Sequence, residues 1–124
     1  MSDAMTYTNL DLKIEVLDKP DTIQVNWYGK SDQRNPTQFL VPILLDVLKK
    51  GITENKLIIW NLRDLEYMNS SGITPIIKGL EQAKKNSQNK VQVFYDKSKK
   101  WQDLNFSALK IFQTQDRRIE LIGN

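Results

Sequence analysis

The chain contains neither cysteine nor histidine. Without cysteine there can be no disulfide, no thiolate metal ligand and no cysteine nucleophile. Without histidine, the commonest general base and the commonest metal ligand are also missing. Carboxylates, lysines, tyrosines and hydroxyls are all that remains for catalysis. Long apolar runs are lacking too. The longest, Phe39 to Leu45, falls far short of the roughly 20 residues of a membrane span and is interrupted by Pro42. The opening residues Met1-Ser2-Asp3-Ala4-Met5-Thr6 are polar and carry no apolar signal-peptide core. The expectation is a soluble, cytoplasmic protein that takes no metal or cofactor and has no membrane partner.

An excess of one charge is also absent. The 18 basic and 15 acidic residues give a net +3, which bears on solubility and does not identify a partner. Basic residues cluster at Lys84-Lys85, Lys90, Lys97, Lys99-Lys100 and Arg117-Arg118. Asp96, Asp103, Asp116 and Glu120 are interspersed among them, so they read as a solvated face and no nucleic-acid partner is expected. No Gly-rich phosphate loop, metal-ligand cluster or nucleophile elbow occurs. Asp64 and Glu66 lie together on one stretch, whereas catalytic carboxylates converge from separate elements. No enzymatic activity is expected.

What is present is a change of apolar period along 124 residues, a length that suits one domain spanning 1–124. Residues 1–10 carry no such pattern and are expected to be poorly ordered. Leu12, Ile14 and Val16 alternate with polar residues, as do Ile23, Val25 and Trp27. The turn formers Asp18-Lys19-Pro20-Asp21 between them predict an antiparallel hairpin. Asn35-Pro36 can open a helix whose stripe is Phe39, Leu40, Ile43, Leu44, Val47 and Leu48, with Gly51 as its stop. Pro42 requires that this helix start late, near Gln38, or kink. Leu57-Ile58-Ile59-Trp60 is apolar throughout, as in a central strand covered on both faces. Ile73, Ile76, Ile77, Leu80 and Ala83 form a second helical stripe. Val91, Val93 and Tyr95 form a strand, Leu104, Ala108, Leu109 and Phe112 a third helix, and Ile119 to Ile122 a last strand. The order β-β-α-β-α-β-α-β predicts an α/β domain with about five strands in a mixed, mostly parallel sheet and three helices packed against it. Trp27 and Trp60 fall in strands and read as core, while Trp101, after Lys97-Ser98-Lys99-Lys100, reads as a candidate partner anchor.

The segment Leu62 to Ile73 joins the central strand to the second helix. Asn69, Ser70 and Ser71 are good helix-capping residues, and a helix N-terminus with its partial positive charge favours an anion. Two readings of Asn69-Ser70-Ser71-Gly72 stand side by side. It is an ordinary capping sequence, or it is a place where phosphate on a serine, worth about −1.5 to −2 charge, changes a binding surface.

The stretch Leu65, Tyr67, Met68, Asn69, Ser70, Ser71, Gly72 and Ile73 resembles the signature of STAS domains, the family of sulfate transporters and anti-sigma-factor antagonists. Similarity in element order extends from Leu12 to Ile122, and motif similarity covers about a dozen residues. The resemblance implies a STAS-like sheet and a non-enzymatic, phosphorylation-switched regulator. Ser70 would be its phosphoacceptor, with Asn69, Ser71, Gly72 and Ile73 as neighbouring switch-loop residues. Gly29-Lys30-Ser31-Asp32 resembles the family's Gly-x-x-Asp and would bring Asp32 to the same end of the sheet. The implied partners are a serine kinase or anti-sigma-like ATPase, a metal-dependent phosphatase and an output enzyme. Asn69 departs from the acid found in most antagonists. It is similar instead to a group of single-domain bacterial regulators in which the hydroxyl after Asn is the phosphorylated one. The competing expectations are a constitutive adaptor in which Ser70 only caps the helix, and a small-ligand-sensing domain of the same fold.

Overall fold

The computed structural model describes residues 3–32 and 34–124. The two alternating segments form β2 (Leu12–Asp18) and β3 (Thr22–Ser31), paired antiparallel with Ile14 opposite Trp27 and Val16 opposite Val25. Of residues 1–10, expected to be poorly ordered, Asp3–Asn9 instead forms β1, antiparallel to β2 with Thr6 opposite Glu15, while residues 1–2 lie outside the described residues. Beyond β3 every pairing is parallel. β4 (Leu57–Asn61) lies on β3, β6 (Val91–Tyr95) on β4, and β7 (Ile119–Gly123) on β6. A further short strand, β5 (Leu65–Met68), follows β4 without a helix between them and pairs parallel with the last residues of β3. The sheet is therefore mixed and mostly parallel as expected, with seven strands in the order β1-β2-β3-β4-β6-β7 and β5 beside β3.

The three helices are α1 (Pro36–Glu54), α2 (Ser70–Lys85) and α3 (Lys100–Ser107), the last continued by a 3₁₀ turn over Ala108–Phe112. They cover one face only. On that face Ile23, Val25, Trp27, Ile58, Trp60, Val91, Val93, Tyr95, Ile119 and Leu121 are buried. Between them Gln24, Ile59, Gln92, Phe94 and Glu120 remain half-buried on the open side. This corrects the reading of β4 as covered on both faces: Ile58 and Trp60 face the helices, whereas Leu57 and Ile59 do not. Trp27 and Trp60 meet edge to face, with ring centroids 6.2 Å apart, and are core residues as expected.

Glycine at 51 does not stop α1. The helix runs on to Glu54 and closes at Asn55 in the left-handed conformation (φ 54°), whose N–H reaches the carbonyls of Gly51 and Ile52. Gly51 is small because a Cβ there would stand 2.6 Å from Ile58 Cδ1, where helix and sheet press together. Pro42 is accommodated on the exposed side of a helix that already begins at Pro36. The inward face of α3 also differs from expectation. Gln102, Phe106 and Leu109 are buried, and Leu104 is 76 % exposed.

Candidate functional site

The end of β3 and the whole of β5 build the site. Gly29 pairs with Leu65, Lys30 with Tyr67 and Ser31 with Met68, with a register shift between Gly29 and Lys30. The next residues, Asp32 and Asn69, therefore leave the sheet at the same end, and Asn69 N–H donates to the Ser31 carbonyl at 2.9 Å. There α2 begins. Asn69 is its N-cap, with extended backbone, and its side-chain Oδ1 accepts from Gly72 N–H at 3.0 Å. The side-chain bond satisfies an amide of the first turn that the helix itself leaves open.

Ser70 is the first helical residue and its side chain is exposed. Ser71 and Ile73 are half-buried, with Ile73 packed against the core, and Gly72 is buried. A Cβ on Gly72 would meet Met68 Cγ at 2.5 Å and Ser31 Oγ at 3.0 Å, so glycine is what lets the first turn lie on the β3–β5 pair. No acidic residue occupies this turn to offset the N-terminal dipole. All the expected switch residues are thus gathered at one sheet end, and only Ser70 and Asp32 among them are exposed.

Sequence reasoning assigned the cap role to Ser70 in the adaptor alternative, and the structure gives that role to Asn69. Asn69→Ala is accordingly expected to cost about 1 kcal/mol of stability and Ser70→Ala less than about 0.5 kcal/mol. Urea denaturation of the two variants would check this, and the opposite ranking would return the cap to Ser70.

Two residues of the site escaped the sequence. Ser31 is fully buried beside Gly72, and its hydroxyl has no partner among the described residues. Gln102, reaching in from α3, donates from Nε2 to the carbonyls of Leu62 (2.9 Å), Leu65 (3.0 Å) and Arg63 (3.3 Å). Its Oε1 accepts from Asp96 N–H at 2.8 Å. This one amide fastens α3 to both ends of the β4–β5 turn and to the end of β6. Nothing in a polar residue's type marks it as buried, although its i, i+4, i+7 spacing with Phe106 and Leu109 is the available signal.

Trp101 does not stand free as a partner anchor. It is half-buried on the core, with its ring centroid 5.8 Å from that of Phe106. Asp64 and Glu66 are exposed around β5. Asp18, at the opposite end of the sheet, is held below its ordinary value by hydrogen bonds from Lys50 and Lys56. Asp96, just after β6, is held below its ordinary value by hydrogen bonds from Ser98. Among the described residues no group of acids is gathered in a way that could hold a metal ion, and no helix is long and apolar enough to cross a membrane.

This arrangement, one helical layer on a mixed sheet with a capped helix rising from the β3–β5 end, is a STAS-like fold. SiaC of Pseudomonas aeruginosa superposes with a TM-score of 0.61 at 13% identity, covering 98% of this chain and 99% of that one. An anti-sigma factor antagonist from Mycobacterium paratuberculosis superposes with a TM-score of 0.50 at 11% identity, covering 95% and 91%. No family model and no curated protein matches the sequence.

Proposed function

We propose that this chain is a non-enzymatic, cytoplasmic regulator that binds a protein partner through the exposed start of α2 and is switched by phosphorylation of Ser70. The observation that carries the proposal is the division of labour between neighbours. Asn69 holds the helix cap, while Ser70 is exposed beside it and can gain or lose a phosphate without disturbing that cap. The fold shared with an anti-sigma factor antagonist supports the same reading.

Unmodified, the Ser70 turn lies against the partner. A phosphate there adds a dianion whose desolvation and repulsion oppose that contact. Asp32, Asn69, Ser71, Gly72 and Ile73 shape the surface around it. The partners that fit this cycle are a serine kinase or anti-sigma-like ATPase, a metal-dependent phosphatase and an output enzyme.

The test is a quantitative pull-down from host lysate with wild type, Ser70→Ala and Ser70→Asp. A partner kept by wild type and Ala, and reduced at least tenfold by Asp, is the expected result; tenfold corresponds to about 1.4 kcal/mol. Equal retention by all three baits would make the chain a constitutive adaptor.

A further inference from the structure

The two edges of the sheet are finished differently. At β7 the chain covers its own edge: Ile119 N–H donates to Thr114 Oγ1 and Leu121 N–H to Gln113 Oε1, each at 3.0 Å. The Ile119 carbonyl accepts from Thr114 N–H at 3.2 Å. Charges at Asp116, Arg117, Arg118 and Glu120 guard that edge further. At β1 no such cover exists among the described residues. Among the described residues, the backbone of Ala4–Thr8 bonds to no loop, and the side-chain contact there is from Tyr7 to Met5 within the strand itself. From Ala4 to Asn9 there is no charge, proline or glycine, and none of the usual devices that blunt an edge. Met5 is 57 % exposed on this strand. Beneath it runs a groove of about 370 Å³ between the hairpin and α1, where the apolar Val16, Ile23, Ile43 and Val47 lie beside the charged Asp18, Asp46 and Lys50.

We propose that β1 is a self-association edge, where two copies of this chain pair β1 with β1, antiparallel about Thr6, and extend the sheet across a two-fold axis. The strand's own order selects this partner and direction. Centred on Thr6, Met5 stands opposite Tyr7 of the second copy, twice over. Ala4 stands opposite Thr8, and the one charged residue of the strand, Asp3, takes the register position opposite Asn9. No like charges meet, whereas an in-register parallel pair would stack Asp3 on Asp3. Met5 and Tyr7 share the groove side of the strand, so each Met–Tyr pair closes over the apolar part of that wall, Val16, Ile23, Ile43 and Val47. Such an interface is isologous and closed, so it stops at two copies. It uses the sheet edge and leaves the Ser70 end free.

The experiment measures mass by analytical ultracentrifugation or light scattering across a concentration series of the full chain. The expected result is a doubled mass at high concentration that dissociates on dilution. Met5→Lys should restore the monomer mass while retaining the wild-type circular dichroism. The absence of native cysteine makes a second arm clean. Under oxidation Thr6→Cys should form a covalent dimer, because Thr6 faces its own copy, and Thr8→Cys, which faces Ala4, should not. A chain that stays monomeric at every concentration overturns the proposal and leaves the edge to a strand from another protein. A dimer that survives Met5→Lys, or that forms without the Thr6→Cys cross-link, overturns it too, since another surface or register would then hold the copies.

Discussion

Replacing Gln102 with leucine is expected to lower the stability of the fold by roughly 3 kcal/mol, about 1 kcal/mol for each of the stronger hydrogen bonds removed. The side chain is fully buried, so water cannot readily take over its partners. Leucine fills similar space, and the loss is therefore one of polar satisfaction and not of volume. Urea denaturation gives the magnitude. Amide exchange should locate it, with residues 62–68 losing protection before β4 does, because Gln102 spans the turn that launches β5. Glutamate at 102 separates the causes. Its carboxylate would face the carbonyls of Leu62, Arg63 and Leu65, so the folded state raises its pKa above the ordinary value near 4.3. Its deficit relative to wild type then shrinks as pH falls through that raised value, when the protonated acid can donate again. A leucine variant as stable as wild type, with unchanged exchange, would show that the Gln102 bonds contribute nothing net.

The second large effect is expected at Gly29. Its φ of +85° is a conformation that side chains rarely adopt, and a Cβ there would collide with the Asp11 carbonyl oxygen. That carbonyl cannot swing away, because it also accepts from Lys30 N–H at 3.0 Å. Backbone strain and overpacking each cost of order 1–3 kcal/mol, so Gly29→Ala should destabilise by about 3 kcal/mol. Gly29→Asn tests which term dominates. Asparagine tolerates positive φ but carries the same Cβ, and it should be nearly as damaging as alanine if the collision governs. Gly29 sits where β3 passes from pairing with β4 to pairing with β5, so the strain would be placed at the bulge that carries Ser31 and Asp32 to the start of α2. Thermal unfolding of both variants decides the matter, and an alanine variant within about 0.5 kcal/mol of wild type would remove the claim.

Legibility in the sequence followed the strength of periodic burial. The stripes of α1 and α2 carry helical spacing, the β2–β3 hairpin, β6 and β7 carry apolar alternation, β4 is a short continuous apolar run, and all are present. β5 was hidden because Leu65-Glu66-Tyr67-Met68 buries only its two ends, an i, i+3 spacing in place of the alternation that marks a strand. β1 was hidden because it is an edge strand whose side chains at Ala4, Met5, Thr6 and Thr8 are exposed, so no core imposes a pattern on it. In α3 the eye follows Leu104, which faces solvent, and passes over Gln102, which faces the core. The Asn-Ser-Ser-Gly segment was recognisable as a helix start. Which of its residues is the cap depends on φ and on one hydrogen bond, and residue type alone does not determine either.

The guanidinium of Arg118, just before β7, donates to the carbonyls of Ala83, Lys84, Asn86 and Asn89 at the far end of α2. The helix that starts at Ser70 is thus completed by a residue more than thirty positions downstream of its last turn. On a chain emerging from the ribosome, α2 can be capped at its front as soon as Asn69 and Gly72 have appeared. Its rear carbonyls wait until Arg118 has been synthesised. Until then the helix is anchored by its N-cap alone, and its last turn is the part that sets late.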